Sequence, residues 1–184
     1  FTKDKTTIRV EGGAAVDAVK DVTITADGNE LDLTGGEAGI RAAVGKMVDI
    51  TAGTLKVNGK MGIDAAGTVT LKGKSEITGT EKAVNVQKGG SVTLGTSTIS
   101  GDVTNGGQLI LDAATTVNGD ITVGVGSVVN GGIKVNRPSF GISFKAPRKP
   151  RIIIGPNAVV EGALVFEREV TLYVHDSARI GPVS

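Results

Sequence analysis

The segment Ile99-Ser100-Gly101-Asp102-Val103 decides the fold, because its pattern recurs three more times along the chain. Each copy has an aliphatic residue, a polar residue, a glycine, a small or acidic residue and a second aliphatic residue. The other copies are Val117-Asn118-Gly119-Asp120-Ile121, Val129-Asn130-Gly131-Gly132-Ile133 and Val160-Glu161-Gly162-Ala163-Leu164. The glycine permits a sharp corner, and the flanking aliphatic residues point inward from adjacent sides. The first three copies are separated by multiples of six positions, which predicts a triangular, hexapeptide-like coil.

Short segments typical of β-strands occupy much of the remaining chain. Their aliphatic residues alternate with period two, which indicates strands with one buried face. They are Val22-Thr23-Ile24, Leu31-Asp32-Leu33, Val48-Asp49-Ile50, Leu55-Lys56-Val57, Val69-Thr70-Leu71, Val92-Thr93-Leu94 and Leu109-Ile110-Leu111. No segment requires a helix, so we predict an all-β fold.

Two columns of equivalent aliphatic positions define the repeat. The first column is Val16, Ile40, Ile63, Val84, Val103 and Ile121, and its steps in sequence number are 24, 23, 21, 19 and 18. The second column is Leu33, Leu55, Ile77, Ile99 and Val117, and its steps are 22, 22, 22 and 18. A coil of this size cannot bury its own apolar face, so successive coils must stack. We therefore predict one parallel β-solenoid domain over residues 1–184, with coils that shorten from about 24 to 18 residues.

A basic, proline-containing insertion interrupts the repeat at about 135–151. The segment 123–133 aligns with 154–164. The separation of these two segments in sequence number exceeds the last step of the first column by about thirteen positions. Between Asp120 and Glu161 the chain has no acidic residue. We predict a site for an anion or a partner molecule, formed by Lys134, Arg137, Phe140, Phe144, Lys145, Arg148, Lys149 and Arg151. The alternative is a loop whose phenylalanines fold back over the side of the solenoid.

Composition limits the chemistry of the chain. Its 184 residues carry a net charge of +1, with 12 Lys or Arg against 15 Asp or Glu through Asp120 and 8 against 4 afterwards. The absence of cysteine excludes a disulfide framework and a thiolate metal site. The single tyrosine and the absence of tryptophan argue against a site that binds sugars by aromatic stacking. No known nucleic-acid motif is present, so we expect no sequence-specific nucleic-acid binding.

Two kinds of enzyme remain to be weighed. A carbohydrate-active β-helix needs carboxylates that converge in one groove, often with calcium. The carboxylates of the right type are Asp32, Asp49, Asp64, Asp102, Asp112 and Asp120. A hexapeptide acyltransferase needs a histidine base, and His175 is the only histidine. Because the central Asp of a strand triplet normally faces solvent, we predict no catalytic residue, no metal site and no cofactor.

The repeats resemble two bacterial families. Gly39-Ile40-Arg41-Ala42, Leu55-Lys56-Val57-Asn58-Gly59 and Gly62-Ile63-Asp64-Ala65 resemble the right-handed β-helix of pertactin-type autotransporter passengers and related adhesins. Residues 119–135 and 152–166 resemble the polymer-forming bactofilins, which are small right-handed β-helices that associate end to end. The resemblance implies a right-handed helix.

These observations favour a non-enzymatic function. We predict an adhesin-like structural module of the bacterial cell surface or periplasm, which could bind an anionic polymer or a membrane surface through the basic insertion. The first alternative is a bactofilin-like, self-assembling cytoskeletal scaffold in the cytoplasm, with end-to-end association. The second is a carbohydrate-active β-helix enzyme.

Overall fold

The computed structural model describes residues 5–111, 116–124, 126–135 and 149–184, and the regular elements of this part of the chain are all β-strands. The strands are β1 (Lys5–Val10), β2 (Ala14–Ala18), β3 (Val22–Gly35), β4 (Ala38–Ala42), β5 (Met47–Ala65), β6 (Thr68–Val86), β7 (Ser91–Leu94), β8 (Ser97–Ser100), β9 (Val103–Asn105), β10 (Gln108–Leu111), β11 (Thr116–Asn118), β12 (Ile121–Val123), β13 (Val128–Asn130), β14 (Ile133–Val135), β15 (Arg151–Ile154), β16 (Val159–Val160), β17 (Leu164–Phe166), β18 (Thr171–Val174) and β19 (Arg179–Ile180). Within the described ranges there is no helix with the length and apolar content that crossing a bilayer requires.

The strands pair in parallel and form the three faces of a β-solenoid, in which equivalent positions are about 22 residues apart. Face 1 consists of β1, residues 30–35, 54–59 and 74–79, β8, β11, β14 and β17. Face 2 consists of β2, β4, residues 61–65 and 82–86, β9, β12, β15 and β18. Face 3 consists of residues 22–26, 47–52 and 68–72, β7, β10, β13, β16 and β19. Counting along each face from its first strand gives levels 1 to 8.

The register of face 2 confirms the first predicted column. Each of its residues pairs with the next one, from Val16 at level 1 to Ile121 at level 6. The column then continues from Ile121 to Ile152 and from Ile152 to Leu172. The predicted shortening of the coils is therefore confirmed as far as level 6.

The second predicted column is wrong at Leu55. Leu33 pairs with Val57, whereas Leu55 pairs with Leu31. From Val57 the column continues as predicted, through Ile77, Ile99 and Val117. A shift of two residues keeps the same side of a strand toward the core, so period-two alternation cannot detect it.

A continuous apolar core runs through the levels, because alternate residues of every strand point inward. Ile40, Ile63 and Val84 follow one another in the face 2 column, and all three are completely buried. The core is less completely covered at its ends, where the inward-facing Ile8 and Val174 are both 37% exposed. Burial of stacked aliphatic side chains is the main stabilising contribution in such a fold.

The register on either side of the predicted insertion can be compared with the offset read from the sequence. Val123 pairs with Ile154 and Ile133 pairs with Leu164, which reproduces the offset read from the sequence. β14 on face 1 and β15 on face 2 are therefore consecutive described strands of level 7. Residues 136–148 lie outside the described residues.

Three corners connect the faces, and we name them by the faces that they join. Corner 2–3 carries the links 19–21, 43–46, 66–67, 87–90, 106–107, 155–158 and 175–178, and at level 6 the described residues of the link 124–127, which are 124, 126 and 127. In its four-residue links, the backbone N–H of the fourth residue donates a hydrogen bond to the carbonyl oxygen of the first residue. The N–H of Lys46, for example, donates to the carbonyl of Ala43 at 3.0 Å. Gly45, in the third place of that link, has a φ of 69°, a left-handed conformation that favours glycine. Corner 1–2 joins faces 1 and 2, to which β14 and β15 belong at level 7.

Candidate functional site

The described part of the predicted basic site is the base of the insertion. Lys134 lies on β14, and Lys149 lies two residues before β15. The Nζ atom of Lys134 is 2.7 Å from Oε1 of Glu167, and the Nζ atom of Lys149 is 2.5 Å from Oε1 of Glu169. Both ammonium groups are thus paired with carboxylates of the link that follows β17.

Arg151 is held more extensively, by Asp120 one level below. One carboxylate oxygen of Asp120 accepts the backbone N–H of Arg151 at 2.8 Å. The other lies 3.2 Å from both Nε and Nη2 of the guanidinium. Asp120 in turn donates its own backbone N–H to Oδ1 of Asp102 at 2.9 Å. The acidic residue of the repeated motif therefore ties one level to the next through charge-assisted hydrogen bonds.

The structure brings Lys134, Lys149 and Arg151 to one corner at level 7, and gives each of them a carboxylate partner. The other predicted members of the site lie outside the described residues, and they are Arg137, Phe140, Phe144, Lys145 and Arg148. The site as a whole stays a prediction.

The acidic residues considered for catalysis are distributed over different parts of the solenoid. Asp32, on face 1, accepts a hydrogen bond from Oγ1 of Thr34 at 3.1 Å. Asp49, on face 3, is 3.0 Å from Nζ of Lys72. Asp112 lies outside the described residues. Asp102 and Asp120 occupy successive levels of corner 1–2, where both carboxylates accept backbone N–H groups, as described above.

The densest polar cluster surrounds Asp64 on face 2. Its side chain is largely buried, and its Oδ1 atom accepts hydrogen bonds from Asn85 at 2.8 Å and from Gln87 at 2.9 Å. On the other side, Nε of Arg41 is 4.0 Å from Oδ2 of Asp64, and Nη1 of Arg41 is 3.6 Å from Asp17. These residues lie on levels 1 to 4, so the cluster links successive coils. The carboxylate of Asp64 therefore already accepts hydrogen bonds from side chains of the protein.

His175 belongs to the corner 2–3 link at level 8 and is exposed. Its Nδ1 atom is 2.9 Å from Oγ of Ser177, and the backbone N–H of Ser177 also points to Nδ1, at 3.2 Å. The histidine therefore stabilises its own turn. This local geometry gives no support to an acyltransferase base.

An open groove of about 630 Å³ lies at corner 2–3 around level 5. It forms because the short link Gly106-Gly107 lies between the longer links 87–90 and 124–127. A Cβ atom on Gly107 would be 2.3 Å from the carbonyl oxygen of Gly90, so glycine is required for this close approach. Lys88 is the one charged side chain among the described lining residues. The groove thus offers no pair of titratable groups for acid–base catalysis.

The part of the chain that the structure describes contains no group of three or more His, Asp or Glu side chains placed to hold a metal ion. No protein-family model, curated protein or solved structure matches this chain. The parallel β-solenoid is therefore shown by the structure, whereas the resemblance to pertactin-type passengers and to bactofilins is not confirmed by a match.

Proposed function

We propose that this chain is a non-enzymatic structural module of the bacterial cell surface or periplasm. The solenoid acts as an individual stiff rod, and its outward side chains form an attachment surface. The observation that carries the proposal is that outward-facing charged side chains form ion pairs with side chains of the next level. Examples are the ion pairs of Glu30 with Lys5 at 2.9 Å and with Lys56 at 3.2 Å, and the pair of Asp49 with Lys72.

The stiffness of the rod follows from the strand pairing between its levels. Each level is held to the next by strand pairing on three faces, and the hydrogen bonds of parallel strands run along the axis of the solenoid. Bending the rod would have to open these bonds on one side and compress the aliphatic stacks on the other. The exposed ion pairs add only about 0–1 kcal/mol each, so strand pairing and core packing supply most of the stiffness.

The same pairing argues against the carbohydrate-active alternative. A glycosidase needs one carboxyl group that can donate a proton and a second that stays free to attack or to activate water. Asp49, Asp64 and Asp120 each have a cationic or amide partner from a neighbouring level. Their role in the proposal is to connect coils.

The location can be tested in cells of the source bacterium with the full-length protein. Because this chain has no cysteine, a single Thr93→Cys variant places one reactive thiol on the outward side of face 3. We expect a membrane-impermeant maleimide to label it in intact cells if it is on the surface, and after outer-membrane permeabilisation alone if it is periplasmic. Ile63→Cys, at a completely buried position, is the matched unlabelled control. Labelling of Thr93→Cys only after the cytoplasmic membrane is opened would contradict the proposal.

One observation favours the scaffold as a second candidate. At the two ends of the described solenoid, the inward-facing Ile8, Val174 and Val183 are 37%, 37% and 48% exposed. Partly open strand edges of this kind can pair with another molecule. A scaffold of this class would form filaments that lengthen with protein concentration.

A further inference from the structure

Charge is segregated around the circumference of the rod. Through level 6, corner 1–2 is acidic and carries Glu11, Glu37, Lys60, Glu81, Asp102 and Asp120. Its one cation is neutralised, because Nζ of Lys60 is 2.9 Å from Oε1 of Glu37. Corner 2–3 has the opposite character over the same levels.

The cations of corner 2–3 are Lys20, Lys46 and Lys88, at levels 1, 2 and 4. Within the described residues none of them forms an ion pair, whereas some lysines of the faces, such as Lys56 and Lys72, do. The carboxylate in these links, Asp21, accepts the backbone N–H of the following level at 2.9 Å. Asp21 keeps its negative charge in this hydrogen bond, so corner 2–3 carries three ammonium groups without an ion-pair partner in the described chain and a net charge of +2 through level 6.

The same corner presents the two most exposed large aliphatic side chains of the described residues, together with Met47. Val44 is 80% exposed and Val19 is 70% exposed, and Met47, which follows the second link, is 43% exposed. They lie on levels 1 and 2, about 4.8 Å apart along the axis. Each aliphatic side chain is close in sequence to a lysine, as in Val19-Lys20 and Lys46-Met47.

We propose that corner 2–3 is a membrane-docking edge that binds the surface of an anionic lipid bilayer. The lysines contact anionic headgroups, and Val19, Val44 and Met47 enter the boundary between headgroups and acyl chains. The acidic corner 1–2 faces away from the bilayer, so the charge asymmetry orients the rod along the membrane. This inference does not depend on the proposed function, since a surface rod need not bind lipid.

Vesicle co-sedimentation tests the proposal with the full chain. The probe is vesicles of phosphatidylcholine and phosphatidylglycerol in a ratio of two to one, with pure phosphatidylcholine as reference. A near-surface lysine contributes about 1 kcal/mol, which is about fivefold in affinity, so Lys46→Gln/Lys88→Gln should weaken binding about 25-fold. The matched control is Arg9→Gln/Lys74→Gln, which removes two exposed cations of face 1 that form no ion pair in the described chain. It should weaken binding less than threefold, because it changes only the long-range field.

The aliphatic contacts are tested in the same assay. Val19→Ser/Val44→Ser should also weaken binding at least tenfold, because two apolar side chains no longer enter the interface. Ile153→Ser/Tyr173→Ser, which changes exposed apolar residues of face 2, is the control and should bind as the unaltered chain does. Sensitivity to the lysines alone would overturn the insertion of the aliphatic side chains, and no binding to the anionic vesicles would overturn the lipid assignment. Concentration-dependent dimers without vesicles, abolished by the valine variant, would overturn it in favour of a second copy of the chain. Equal effects of the test and control variants would overturn the assignment of lipid binding to corner 2–3.

Discussion

Truncation of the central core residue Ile63 should destabilise the solenoid strongly. Ile63 is completely buried and pairs with Ile40 below and Val84 above. Ile63→Ala removes three carbon atoms, which costs roughly 2.4 kcal/mol in transfer free energy at about 0.8 kcal/mol each. The cavity left between two rigid levels adds to this, so we expect a loss of about 3–4 kcal/mol in the free energy of unfolding. For a chain of this size that corresponds to a fall of about 10 °C in Tm.

Urea and thermal unfolding followed by circular dichroism measure this change. Val44→Ala is the matched control, because Val44 is an aliphatic residue that is 80% exposed, and it should stay within about 0.5 kcal/mol of the unaltered chain. Hydrogen exchange of the neighbouring levels should show the same loss, since solenoid stability is carried by nearest-neighbour contacts. If Ile63→Ala and Val44→Ala had the same effect, the assignment of the inward column would be refuted.

Three further predictions concern single positions. Ser75→Ala should stabilise the chain by about 1 kcal/mol in urea unfolding, because the buried hydroxyl of Ser75 has no hydrogen-bond partner among the described residues. Ser97→Ala should destabilise it by about 1 kcal/mol, because Ser97 donates to a backbone carbonyl at 2.7 Å. A stability change of the same sign for both variants would contradict this. Gly107→Ala should lower Tm by several degrees, since its Cβ would meet a carbonyl oxygen at 2.3 Å, while Gly12→Ala, with nothing within 4 Å, should leave Tm nearly unchanged. Hydrogen bonds from two lysines lower the pKa of Glu30 from its ordinary value of 4.5, so its stabilising contribution is present above that value and is lost as the pH falls through the lowered pKa. Glu30→Gln should therefore reduce the acid sensitivity of unfolding below about pH 4.5 and have no such effect if the ion pairs do not form in solution.

The sequence allowed much of the fold to be predicted, because stacking requires like residues at like positions. The column from Val16 to Ile121 was recognisable as aliphatic residues at slowly shortening intervals. The position of Leu55 was not, since its strand alternates with the same period whether it is paired with Leu31 or Leu33. Side-chain alternation defines the face of a strand but leaves the pairing ambiguous by two residues.

The candidate sites were harder to predict than the fold. The basic insertion could be recognised because its cations are close together in sequence. The acidic partners of these cations are distant in sequence and could not be recognised. Asp120 lies far before Arg151 in the chain, and their contact depends on a register that crosses the insertion. The cations of corner 2–3 gave no local signal at all, because Lys20, Lys46 and Lys88 come together only when the coils stack. Charge patterns of this kind become visible only after the levels have been aligned.

Sedimentation velocity over a wide range of protein concentration, at low and high salt and with electron microscopy of any fast species, tests the central claim most directly. The claim is that the solenoid works as an individual rod. It predicts one slow boundary whose sedimentation coefficient, extrapolated to infinite dilution, is the same at both salt concentrations, and no filaments. Growth into filaments that is insensitive to salt would contradict it, and would assign the partly open ends of the solenoid to end-to-end assembly.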